Sequence, residues 1–151
     1  MTQESTPTHA TDPGRASGGR TPTEVVAAMF AAFGEGNVDA VIDVLDPEVI
    51  WFVPGDRAVV PWSGTWRGHE EMRRFFGVIA VSAEPRAFEI RRLLANGEDV
   101  VALGRFAYFY PTSGRVFDDE FAMHFTVRDG RIRTYRIHED SLALANAYTG
   151  A

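Results

Sequence analysis

The chain has 151 residues, a net charge of −6 and 45% hydrophobic residues, which suits a single globular domain. It contains no cysteine and no lysine, which excludes disulfides, thiol nucleophiles, cysteine-held metals, Schiff-base chemistry and a phosphate loop ending in Gly-Lys-Ser/Thr. The acidic balance argues against nucleic acid as a partner, and no apolar run is long enough to span a bilayer.

Residues 1–20 are rich in Thr, Ser, Gly and Pro and carry no apolar run, so they are predicted to form a disordered tail ahead of a domain over 21–151. His9 lies in that tail and receives no role. No apolar secretory segment is present, and a cytoplasmic location is expected. The composition, rich in alanine and arginine, points to a GC-rich bacterial genome.

Thr21-Pro22-Thr23-Glu24 has the form of a capping box with proline in the first turn. Val26, Met29, Phe30 and Phe33 follow at helical spacing, and Gly34 and Gly36 end that helix. Asn37 caps a second helix with Val38, Val41, Ile42 and Leu45 on one face, stopped by Asp46-Pro47. A short strand over 49–53 leads into an irregular loop carrying Trp62 and Trp66. A third helix begins near His69, with Met72, Phe75, Phe76 and Ile79 on one stripe. Strands are predicted over 86–95, 99–110, 115–127 and 131–139, with hairpin turns at Asn96-Gly97 and Asp129-Gly130. Asp140 caps a short last helix. Helices first and an antiparallel meander afterwards define an α+β domain with helices on one sheet face.

Charged residues on apolar strand faces are the candidates for chemistry. Asp119 shares a face with Phe117, Phe121, Met123, Phe125 and Val127. A carboxylate among aromatic rings has reason to hold a proton near neutral pH, whereas one at the strand's open end is simply hydrated or bonded to a backbone amide. Arg105 sits between the apolar Leu103 and Ala107, and both faces of its strand are apolar. It either orients a ligand oxyanion or catalytic carboxylate, or lays its stem on apolar surface and reaches water. In the last strand Tyr135, Ile137 and Glu139 share one face and Thr134, Arg136 and His138 the other, and the pattern does not say which is inward. His138 and Glu139 are acid/base candidates or ordinary surface charge. Trp51, Trp62 and Trp66 can wall a pocket for a flat ligand or pack the core. His69, Glu70 and Glu71 lack metal-binding spacing and fit the first turn of a helix, where acids are favoured. His124 faces outward with Glu120, as a subunit-interface residue would.

Several local motifs occur in a telling order: Gly36-Asn37-Val38-Asp39, Trp51-Phe52-Val53-Pro54-Gly55, Gly64-Thr65-Trp66-Arg67-Gly68, and Arg128-Asp129-Gly130-Arg131-Ile132 followed by Asp140 and an alanine-rich helix. With them the stretch from Val25 to Ala147 resembles the SnoaL-like branch of the nuclear transport factor 2-like superfamily. The resemblance implies a conical α+β fold, with helices packed on a strongly curved, mostly antiparallel sheet enclosing one pocket, in a homodimer. Polyketide cyclases, steroid isomerases and epoxide hydrolases share this fold, so chemistry must be read from the site. By the resemblance, the steroid isomerase's base falls on Val53, its oxyanion tyrosine on Met29 and its protonated aspartic acid near Phe121, none of which can act so. The arginine of limonene-epoxide hydrolase matches Arg105, while its aspartates fall on Ala107 and Ile137. The cyclase's acid/base aspartate also lands on Ile137.

The expected function is acid/base catalysis on a hydrophobic, oxygenated small molecule, by cyclisation, isomerisation or dehydration, without metal or organic cofactor. Asp119 is expected to shuttle the proton, with Arg105 polarising, Glu139 as second carboxylate and Tyr108 or Tyr135 donating to an oxyanion. Met29, Trp51, Trp62, Trp66, Tyr108, Phe121, Met123, Tyr135 and Ile137 are expected to line the pocket. The alternative is a small-molecule-binding or dimerisation module of the same fold without turnover.

Overall fold

The computed structural model describes residues 19–151, so the predicted tail, His9 included, lies outside the described residues apart from its last two positions. The elements, in order, are α1 (Pro22–Gly34), α2 (Val38–Asp43), β1 (Leu45–Val53), β2 (Gly64–Arg67), α3 (Gly68–Ser82), β3 (Glu84–Asn96), β4 (Asp99–Tyr110), β5 (Arg115–Arg128), β6 (Arg131–His138) and α4 (Ser141–Thr149). The six strands form one sheet in the order β2-β1-β6-β5-β4-β3. Every neighbouring pair is antiparallel except β1 with β6. Among the described residues no helix is long and apolar enough to cross a membrane.

Local chemistry explains the helix ends. Thr21 accepts the Glu24 N–H at 3.2 Å while Glu24 accepts the Thr21 N–H at 2.8 Å, completing the capping box of α1. Asn37 caps α2 through the Ala40 N–H, and Asp140 caps α4 through the Ala143 N–H. Replacing Thr21 with alanine is expected to cost about 1 kcal/mol, measured as a lower midpoint in urea with unchanged slope.

Two readings of the first half are corrected. Leu45 belongs to β1 and not to α2, and Asp46-Pro47 lies inside that strand. The register between β1 and β6 jumps from Leu45–Ile132 to Ile50–Thr134, which leaves Pro47 in an unpaired stretch where its missing N–H costs nothing. The loop carrying Trp66 contains strand β2, whose Trp66 pairs with Trp51. At four residues with a glycine start, β2 is too short for alternation to show.

Bulges shape the rest of the sheet. Arg86 and Arg91 are extra residues in β3, and Arg133 is extra in β6, between Val127–Ile132 and Thr126–Thr134. The β6 bulge turns both Ile132 and Tyr135 inward although they are three apart, which is why that strand's alternation is poor in the sequence. Asp129 and Gly130, with φ of 54° and 76°, form the tight turn from β5 to β6. The core lies between the helices and the inward sheet face, where Phe125, Val100, Ile132 and Val49 are fully buried.

Candidate active site: an aromatic cavity with one carboxyl

The inward face of β4 carries Phe106, Tyr108 and Tyr110, that of β5 Phe117 and Met123, and that of β6 Tyr135 and Ile137. These side chains, with Trp51 and Val53 of β1, Phe88 of β3, Met29, Phe30 and Phe33 of α1 and Phe75, Phe76 and Ile79 of α3, enclose a cavity of about 100 Å³. Leu144 of α4 and Trp62 of the loop before β2 complete the wall. That volume is several times what one water molecule needs. The rings lock one another. Trp51 and Tyr135, opposite each other on β1 and β6, stack with centroids 3.7 Å apart and planes 10° from parallel. Phe30 meets Phe125 edge-on at 5.8 Å, and Trp62 meets Tyr148 at 5.2 Å.

Among the described residues, Glu139 is the only carboxyl in the cavity wall, and no arginine or histidine reaches it. It follows β6 directly and keeps the inward phase of Tyr135 and Ile137. Burial, reinforced by the negative charge of Asp119, pushes its carboxyl from the ordinary 4.5 up to about 7. Near neutral pH both protonation states are therefore populated. The tyrosines shift in the same direction, away from neutrality. Burial, and then the Glu139 charge, pushes Tyr108 up to about 12, and the same causes raise Tyr110 and Tyr135. All three stay protonated and can only donate or accept hydrogen bonds. No protein group among the described residues hydrogen-bonds the Glu139 carboxyl or these three hydroxyls, so their capacity is open to a ligand.

The candidate residues divide accordingly. Met29, Trp51, Trp62, Tyr108, Met123, Tyr135, Ile137 and Glu139 come together in the wall. Four do not. Arg105 lies on the outward face of β4, where its guanidinium meets both oxygens of Asp118 at 2.9 and 2.7 Å and Glu89 at 3.4 Å. That pairing raises the arginine further and holds the Asp118 carboxyl below its usual range. The expectation that Arg105 faces the pocket is thus corrected: outward Glu89, Asp118 and Glu120 share the parity of Arg105 and Arg91 and form a charged ladder. Trp66 packs behind the wall, donating its indole N–H to the Trp62 carbonyl at 3.0 Å and carrying the Arg57 guanidinium on its ring at 3.9 Å. Phe121 packs against Phe88 and Phe106 and supports the wall from outside. Asp119 is half-buried behind Glu139, and its Oδ2 accepts the Asp140 N–H at 2.8 Å.

Sequence reasoning missed the strand residues Val53, Phe88, Phe106, Tyr110 and Phe117 and the helix residues Phe30, Phe33, Phe75, Phe76, Ile79 and Leu144 as lining. Their apolar spacing marks them as inward, and nothing in spacing separates a core ring from a cavity ring. His138 is exposed, His69 Nε2 lies 2.8 Å from the Leu45 carbonyl oxygen, and His124 Nε2 lies 2.7 Å from Asp99. No group of acids and histidines among the described residues could hold a metal ion.

A sheet with helices on one face around an aromatic cavity defines the NTF2-like class of α+β domains. Within it the chain belongs to the SnoaL-like domain family, whose model matches residues 26–135. An NTF2-like protein from Burkholderia xenovorans LB400 shares 28% identity with a TM-score of 0.77, over 84% of this chain and 95% of its own. TerC, crystallised with polyporic acid, superposes with a TM-score of 0.75 at 22% identity, over 85% of this chain and 98% of its own. A protein from Mesorhizobium loti assigned as a SnoaL-like polyketide cyclase superposes with a TM-score of 0.66 at 13% identity, over 79% of this chain and 99% of its own. At such identities the last two show the fold alone. No curated protein matches the chain.

Proposed function

We propose that the protein is an acid/base enzyme that moves a proton within a hydrophobic, oxygenated small molecule, with Glu139 as the group that takes it and returns it. The observation that carries this reading is that, among the described residues, Glu139 is the lone carboxyl, poised near neutrality, in a cavity otherwise walled by apolar and tyrosine side chains. Ionised Glu139 removes a proton from the carbon beside a carbonyl. The charge that develops on the carbonyl oxygen is met by a hydroxyl of Tyr108 or Tyr135, and the carboxylic acid so formed returns the proton at another atom. The net result is an isomerisation, or a ring closure where the carbanion meets a second carbonyl. Among the described residues the wall holds no cation to offer counter-charge to an anion, which favours an uncharged ligand. Compared with the expectation from sequence, the shuttle passes from Asp119 to Glu139, and Arg105 has no part.

The test is incubation with phenolic polyketides, unsaturated ketones and epoxides, followed by chromatography with mass detection, with Glu139→Gln in parallel. Conversion by the wild type and not by the variant is the expected result. Ligand bound by both and recovered unchanged would assign the domain as a binding module instead.

A further inference from the structure

Glu139 sits in the short connection between β6 and α4, a place where a carboxyl would ordinarily be free to swing into water. What ties that connection to the sheet is a contact from β5. Asp119 Oδ2 accepts the N–H of Asp140, the residue directly after Glu139, at 2.8 Å, while the Asp140 side chain turns forward to cap α4 through the Ala143 N–H at 2.9 Å. The far end of α4 is held from the β4–β5 turn and β5: Ser113 Oγ donates to the Ala147 carbonyl at 2.6 Å and Arg115 to that of Ala151 at 3.0 Å. Asp119 is therefore the sheet's anchor on the Glu139 side of α4. We propose that Asp119 is a positioning residue, which clamps the Glu139–Asp140 peptide so that the Glu139 side chain stays in the cavity wall and which keeps a negative charge behind it.

The inference rests on the reading of Glu139 as the acid/base group. Among the described residues the groups that face Glu139 are few. Asp119 comes from β5, Tyr108 and Tyr110 from β4, Tyr135 from β6, and α4 contributes the uncharged Leu144 to the same wall. Asp119 is the one charge among them. Its two contributions, a hydrogen bond and a charge, separate by mutation because an asparagine oxygen still accepts while its charge is gone.

The experiment uses the full chain and needs no substrate. Exchange of the Asp140 amide and titration of the Glu139 carboxyl carbon are followed by NMR in the wild type, Asp119→Asn and Asp119→Ala. In Asp119→Asn the Asp140 amide keeps its protection while the Glu139 midpoint falls toward the ordinary carboxylate range. In Asp119→Ala the amide also exchanges about tenfold faster, the expected consequence of losing one hydrogen bond. An Asp140 amide equally protected in all three proteins, or a Glu139 midpoint unmoved by Asp119→Asn, would overturn the proposal. Should Asp119→Ala fail to fold, the midpoint in Asp119→Asn decides alone. Because neither readout involves turnover, a protein that proves to convert nothing leaves this inference standing or falling on its own.

Discussion

Glu139→Gln is expected to lower turnover by about 10²–10⁴-fold while ligand affinity changes little, because the amide fills the same space and cannot carry the proton. The substitution has a second expected signature, in stability. The Glu139 carboxyl is raised from 4.5 to about 7 in the folded protein, so between those values the folded chain binds a proton that the unfolded chain releases. Stability must then fall as pH rises through this window, the slope being set by the difference in bound protons. The contribution is fully present below pH 4.5 and lost above about 7, and it amounts to on the order of 3 kcal/mol. Urea unfolding of the wild type between pH 5 and 8 should show this decline, and Glu139→Gln should lack it. A variant that loses activity but keeps the wild-type slope would place the titrating group elsewhere.

Gly104→Ala is expected to be the most damaging small change to the fold. Gly104 pairs with Ile90 beside the β3 bulge, and a Cβ added there would fall on the Glu89 carbonyl oxygen and within 2.9 Å of the Phe121 ring. Backbone on one side and a buried ring on the other leave no direction of relief, so the cost is about 3 kcal/mol. For a domain of this size that lowers the thermal midpoint by about 10 °C. Phe121 packs on Phe88 and Phe106, two rings of the cavity wall, and ligand affinity should weaken with stability. Quenching of tryptophan fluorescence by a bound ligand reports this, since Trp51 and Trp62 stand in the wall.

The helices, the hairpins and the inward face of β5 were legible because each has a local signature. Thr21-Pro22-Thr23-Glu24 caps α1 as its residue types demand, and Asp129-Gly130 takes the positive φ values that a two-residue hairpin requires. What misled was parity. In β4 both faces are apolar, so hydrophobic pattern alone could not say that Phe106, Tyr108 and Tyr110 look inward while Arg105 looks out. The acids that decide it, Glu89 and Asp118, lie on neighbouring strands and become its partners only through register. In β6 the extra residue Arg133 broke the alternation that would have marked Tyr135, Ile137 and Glu139 as inward. The Asp119 anomaly was real but its meaning lay two residues past β6, in the Asp140 backbone amide that only the folded chain brings within reach.

The proposed chemistry turns on a single proton. Selective labelling of glutamate carboxyl carbons, with Glu139→Gln to assign the resonance, lets NMR titrate Glu139 directly in the unliganded protein. A midpoint at about 7 is the predicted result. A midpoint at about 4.5, where an unperturbed glutamate titrates, would leave Glu139 ionised at neutral pH and contradict its role as the group that holds and returns the proton.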